Sequence, residues 1–183
     1  VSLNVASPWI ARKLAQRPEL VEELLHEDRL YRAPNRNEMA ALVQDQLLRV
    51  PEDDLEQQMH AMAGIKDAVV LRVAASELNG SLPVMVASDN LTFLAEVMVA
   101  QAIQVARAEL VSRHGEPEGP DAGFAVMGYG KLGGIELGYG SDLDLVFVYD
   151  GGRGATSGPK IIDNTRFFTR LAQRVVHVLS TNV

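Results

Sequence analysis

Residues Phe124–Asp150 read FAVMGYGKLGGIELGYGSDLDLVFVYD, and this stretch decides the fold. Phe124-Ala125-Val126-Met127 is an apolar run of strand length. Gly128-Tyr129-Gly130-Lys131-Leu132-Gly133-Gly134 then places four glycines in seven residues, with one lysine among them. Ser141 to Tyr149, SDLDLVFVY, predicts a second strand. Side chains alternate faces along a strand, so Asp142 and Asp144 point to one side. Leu143, Leu145, Phe147 and Tyr149 point to the other. Two carboxylates beside a glycine-rich turn predict a divalent cation holding a nucleoside triphosphate. The bare amides of such a turn approach phosphate oxygens, and Mg²⁺ takes one or two carboxylates plus substrate phosphates.

A decoy lies in the same stretch. Gly128-Tyr129-Gly130-Lys131-Leu132-Gly133 satisfies G-x-G-x-x-G behind a strand, the dinucleotide fingerprint. Asp150 stands twenty residues beyond Gly130, where a ribose-binding acid would sit. Length excludes this reading. A parallel crossover needs a dozen or more residues, usually helical. Only Gly134 to Ser141 separates the turn from the next strand, and Gly134, Gly138 and Gly140 oppose a helix there. The reading that remains is a nucleotidyltransferase. Its glycine turn holds the triphosphate, its paired aspartates hold metal, and a hydroxyl attacks the α-phosphate as pyrophosphate leaves.

Outward from this stretch, the chain has 183 residues, 47% of them hydrophobic, which fits one or two globular domains. It has no cysteine, so disulfide and thiolate chemistry are excluded, and a cytoplasmic location is expected. The net charge of −7 argues against a general nucleic-acid binder. No membrane partner is expected, because no apolar run reaches the length of a span and no signal peptide is visible. The chain starts at Val1 and stops at Val183 close behind a helical pattern, which reads as a piece of something longer.

Residues 1–117 read as an all-α region of four to six helices. Ser7-Pro8 predicts a helix start, and Pro18 another. Arg29–Arg36 reads as a polar connection. Asn37 is expected to cap a helix ended by Pro51, and Pro51 to open the next, running towards Gly80. Ser88-Asp89 is expected to start a long helix that Gly115 closes. Gly115 to Asp121, rich in glycine, proline and acid, marks a boundary, and residues 118–183 form the second unit. Gly151–Pro159 reads as a mobile loop. Asp163 predicts the cap of a last helix that buries Phe167, Leu171, Val175 and Val178.

The stretch GYGKLGGIELGYGSDLDLVFVYD resembles the signature of the glutamine synthetase adenylyltransferase family. LLRVPEDDLEQQM, SLPVMVASDNLTFLAE and RFFTRLAQRVVHVLST are similar to family segments in the same order, so the resemblance covers nearly the whole chain. Family members carry two related halves, one adding AMP to glutamine synthetase and one removing it. Tyr129 and Leu143 resemble the C-terminal, adding half; the other half more often reads GMGKLGG, with isoleucine between its aspartates. The resemblance implies an α+β fold, with the helical region followed by a small mixed sheet of the DNA polymerase β-like nucleotidyltransferase type. It implies Mg²⁺ on Asp142 and Asp144, and ATP as substrate, contacted by Gly130, Lys131, Gly133, Gly134 and Ser141. The partners implied are glutamine synthetase, modified on a tyrosine, and a nitrogen-signalling PII protein. The family's third carboxylate sits on a later strand in a Val-Asp-Arg-Leu-Arg-Pro context that this chain does not contain, so catalytic incompleteness is expected.

Plainer readings stand beside these, and a regulatory scaffold that binds nucleotide without catalysis is an alternative to either half. Asp142 and Asp144 taken alone fit a solvated strand edge as well as a metal site. Ser141 fits a local backbone bond as well as a ligand contact. Arg166, Arg170 and Arg174 recur on one helical face, which is usually a solvated row. Trp9, Met59 and Met62 read as packing residues. His26, His60, His114 and His177 show no metal-ligand spacing, and Gly151–Pro159 reads by default as a loose loop rather than a lid.

Overall fold

Proline, glycine and short polar side chains set the helix ends. The structure, a computed structural model, describes residues 8–119, 123–150 and 153–180. Ser7, the side chain of Trp9, Pro120, Asp121 and the Gly151-Gly152 pair lie outside the described residues. Helix α1 (Pro8–Gln16) opens with proline at its first position. A 3₁₀ turn at Pro18–Leu20 follows, then α2 (Val21–Leu24) and α3 (Glu27–Leu30). The expected Arg29–Arg36 connection therefore begins inside a helical turn. Next come α4 (Arg36–Leu47), α5 (Leu55–Leu78) and the long α6 (Val84–His114).

Three helix starts differ from the sequence expectation, each for a hydrogen-bonding reason. Asn35, not Asn37, caps α4. Its side chain accepts from the amides of Asn37 at 3.0 Å and Glu38 at 3.1 Å, while Glu38 accepts from the Asn35 amide at 2.9 Å. Glu38 stands three residues after Asn35, which completes the reciprocal box. Asp54 caps α5 by accepting from the Gln57 amide at 2.9 Å, so Pro51 stays outside that helix. Helix α6 begins at Val84, ahead of Ser88. The Ser88 hydroxyl donates instead to the Leu137 carbonyl at 3.0 Å and caps nothing.

Helix α6 is long and apolar enough, by composition, to cross a membrane. Half of its most apolar window is buried inside the protein. It packs against α4 and α5, which makes it the central core helix. Met59 and Met62 of α5 are buried in this core, as expected. Gly115, at φ +74°, closes α6. A Cβ there would lie 2.3 Å from the Gly158 amide nitrogen, so both the backbone angle and the close approach require glycine.

Strands β1 (Gly123–Tyr129) and β2 (Asp144–Asp150) pair antiparallel, with Phe124 opposite Tyr149, Val126 opposite Phe147 and Tyr129 opposite Asp144. This pairing removes the dinucleotide-binding alternative, which needs a parallel crossover. A mixed sheet was expected, but no parallel pair occurs among the described residues. The short α7 (Gly130–Gly133) turns the chain out of β1. That departure also explains why β2 begins at Asp144 and not Ser141: beyond Tyr129 there is no strand left to pair with.

The last helix, α8 (Asn164–Ser180), is capped as expected, with the Asp163 carboxylate accepting from the Arg166 amide at 2.8 Å. It buries Phe167, Leu171, Val175 and Val178 against α6 and the sheet. Phe168 stacks on Phe124 and Tyr149 at 6.0 and 5.4 Å between ring centroids, which fastens the inner sheet face to the helix. The described part of the expected mobile loop is pinned. Ala155 bridges to Asp163 and Thr156 to Pro117, and Thr156 is buried. Helices with one small antiparallel sheet make the architecture α+β.

Candidate active site

The hairpin β1–α7–β2 sets the exposure of the acidic stretch. From Asp142 to Val148 the residues alternate, with Asp142, Asp144, Val146 and Val148 exposed and Leu143, Leu145 and Phe147 turned towards the core. The alternation continues upstream of the paired strand through Asp142, so both carboxylates are exposed while Leu143 and Leu145 turn inward. Tyr149 stacks on Phe168, on the opposite face, as the strand periodicity predicts.

The glycine turn is built against one of these carboxylates. Gly130 has φ +56°, and a Cβ there would lie 2.4 Å from Asp144 Oδ2. A Cβ on Gly133 would lie 2.7 Å from the Gly128 carbonyl oxygen. Both positions exclude a side chain, so the turn brings bare backbone up to the carboxylate. Leu132 is buried under the turn, which leaves Lys131 and Gly134 exposed on its surface. Ser141 accepts the Gly138 amide at 3.0 Å, the local backbone bond. Its hydroxyl proton remains available as a donor.

The segment between turn and strand is tied to the helices. Leu137 is buried in the main core, and its carbonyl accepts from Ser88. The Tyr139 hydroxyl donates to the Glu77 carboxylate near the end of α5. Burial, and then Glu77 itself, push the Tyr139 phenol above its ordinary pKa. Sequence reasoning missed Ser88, Glu77 and Tyr139. One signal was visible: Tyr139 is the only aromatic residue between Tyr129 and Phe147.

The remaining candidates fall into structural roles. Arg174 pairs with Glu109 at 2.8 Å and Arg170 meets His114 Nε2 at 3.1 Å, so two of the three arginines in the row hold α8 to α6; Arg166 is exposed. His114 is buried, with Nδ1 2.6 Å from the Lys160 carbonyl. A carbonyl accepts and a guanidinium donates, so a neutral ring with its proton on Nδ1 satisfies both contacts. Away from the hairpin, the buried Asp67 pairs with Lys13 at 3.0 Å and Arg17 at 3.5 Å, fixing α1 on α5.

A divalent cation can be tested against this donor set. No group of three or more His, Cys, Asp or Glu side chains placed to hold a metal ion occurs among the described residues. Two outward carboxylates of hard oxygen character fit Mg²⁺, which completes its shell with water and substrate phosphates. The same pair would be a poor site for a metal that needs a full protein cage.

The fold and site thus describe a helical body that presents paired carboxylates on a glycine-rich antiparallel hairpin. A family model described as glutamate-ammonia ligase adenylyltransferase matches residues 1–183, and the chain belongs to that family. It is 54% identical, over 99% of its length, to the bifunctional glutamine synthetase adenylyltransferase/adenylyl-removing enzyme of Pseudomonas syringae pv. tomato. It is 51% identical to the proteins of that name from Pseudomonas putida and Shewanella frigidimarina, again over 99% of the chain. The chain spans 19–20% of the length of these relatives.

Proposed function

We propose that this chain carries the AMP-adding site of a glutamine synthetase adenylyltransferase, with ATP as AMP donor and a tyrosine hydroxyl of glutamine synthetase as acceptor. The reading rests chiefly on Asp142 and Asp144, which face outward together with Gly130 packed against Asp144. The proposed domain, residues 118–183, is the first part of a DNA polymerase β-like nucleotidyltransferase fold, attached to helical residues 1–117. The family name and those of the relatives support the reaction class and the protein substrate.

In this site Asp142 and Asp144 hold Mg²⁺, which when bound neutralises phosphate charge as it develops. Gly130, Gly133 and Gly134 let triphosphate oxygens approach the backbone. The exposed Lys131 ammonium balances their charge, and Ser141 donates its hydroxyl proton to an oxygen. The tyrosine oxygen bonds to the α-phosphorus as its proton passes to solvent and the bond to pyrophosphate breaks, giving a tyrosyl-AMP ester. The residues of this chain position the reactants and compensate charge, and none of them forms a covalent intermediate. A cytoplasmic location and a PII protein bound by the helical region complete the proposal; calorimetric titration with PII checks the second.

The reverse activity is the second reading, because the relatives' name includes adenylyl removal. A chain prolonged past Val183 only far enough to complete this one half, without the other, separates the two. Incubated with α-labelled ATP and unmodified glutamine synthetase, it is expected to label the synthetase. Release of AMP from pre-labelled synthetase, without labelling in the first assay, would reverse the assignment.

A further inference from the structure

The segment Gly134–Leu143 carries the chain from the glycine turn to Asp142, yet it contains three glycines and forms no strand. Such a segment has little intrinsic order. Its order comes from the helices. Leu137 is buried and accepts from Ser88, 49 residues away in sequence. Tyr139 donates to Glu77, 62 residues away. Gly138 and Ser141 then close a tight turn, with the Ser141 amide donating to the Gly138 carbonyl at 3.1 Å and the Gly138 amide to Ser141 Oγ at 3.0 Å. Asp142 follows at once, so the last long-range tether before the acidic pair is the Tyr139–Glu77 hydrogen bond.

Glu77 needs this partner as much as Tyr139 does. It sits in the last turn of α5, where the helix dipole disfavours a carboxylate. A phenolic proton offered to that carboxylate offsets the penalty and makes a charge-assisted bond. Carboxylates that share one cation must be held close to their productive geometry, and glycine-rich backbone cannot do this alone.

We propose that Tyr139 and Glu77 are positioning residues for Asp142, through which helix α5 sets the geometry of the metal pair. This rests on the reading of Asp142 and Asp144 as metal ligands. The bond acts through the backbone of residues 139–142, where the Ser141 amide donates to the Gly138 carbonyl. Glu77→Gln retains an acceptor for the phenol, whereas Glu77→Ala and Tyr139→Phe remove the bond.

The test is Mn²⁺ titration by electron paramagnetic resonance on the prolonged chain, without turnover, together with hydrogen exchange over residues 138–144. Tyr139→Phe and Glu77→Ala are each expected to weaken Mn²⁺ binding about fivefold, the size of one hydrogen bond's net contribution. The double variant is expected to be no weaker than either single one, because both remove the same bond. Exchange should rise over residues 138–144 in both, and Glu77→Gln should restore Mn²⁺ binding to within about twofold of the parent. Unchanged Mn²⁺ affinity in Tyr139→Phe, with Asp142→Asn abolishing it, would overturn the positioning role alone. Unchanged affinity in Asp142→Asn would overturn the metal reading itself.

Discussion

Gly130 is where the backbone and the chemistry meet most closely. Its φ of +56° is a conformation that L side chains adopt at a cost of about 1 kcal/mol. The larger effect of adding a methyl group is steric, since the new carbon would lie 2.4 Å from Asp144 Oδ2. Gly130→Ala must therefore displace the carboxylate or the turn. We expect AMP transfer by the prolonged chain to fall at least about a hundredfold, a loss of the size seen when a reacting group is misplaced by an ångström. Circular dichroism should stay close to the parent's. Transfer within threefold of the parent would show that the turn does not need to lie against Asp144.

Tyr139 gives a second prediction at this scale. Burial and Glu77 hold its proton more tightly in the folded state than its ordinary pKa of 10.0 implies. A phenol with a raised folded pKa contributes stability that is complete below pH 10 and lost as the pH rises above it. The melting temperature of the parent should exceed that of Tyr139→Phe at neutral pH, and the gap should narrow above pH 10. A gap independent of pH would mean that the hydroxyl makes no folded-state bond.

Among the elements, α6 and α8 are joined by a polar contact that no local pattern in the chain signals. His114, at the end of α6, bridges the Lys160 carbonyl and the Arg170 guanidinium while itself buried. His114→Ala removes both contacts together with the packing of a buried ring, at a cost of about 2–3 kcal/mol. For a chain of this size that lowers the melting temperature by about 5–10 °C. A thermal melt checks it, and a fall under 2 °C would show that water replaces the ring.

The elements also show which signals are readable. Periodicity identified α6 and α8, because each buries an apolar stripe over many turns, whereas α5 is buried on two sides, with Val69 and Val73 in the main core and Leu71 and Ala75 in a second cluster with Ile10. The alternation at Asp142–Phe147 was equally plain, since a strand half-buried on one face must alternate. Helix starts were less legible. Asn35 and Asn37 are both good caps, and only the reciprocal bond with Glu38 decides between them. Ser88 resembled a cap but bonds a carbonyl 49 residues away. His114 and Tyr139 stayed invisible for the same reason, because their partners are distant in sequence and no local pattern encodes a tertiary hydrogen bond.

At the scale of the whole molecule, one hydrophobic cluster runs from Met39 in α4 to Val178 in α8, and Leu132 and Leu137 of the site belong to it. The helical body and the acidic hairpin therefore share a core, and the hairpin is anchored by packing as well as by the bonds of Ser88 and Glu77. The outward face of the hairpin, with Asp142 and Asp144 upon it, carries the proposed chemistry. The most direct test of that claim compares the prolonged chain with its Asp142→Asn variant. Each is incubated with Mg²⁺, α-labelled ATP and glutamine synthetase, and label on the synthetase is counted. The account predicts label with the parent and almost none with Asp142→Asn, whose fold is unchanged. Equal labelling by the two would contradict it, because the acidic pair would then play no part in the transfer.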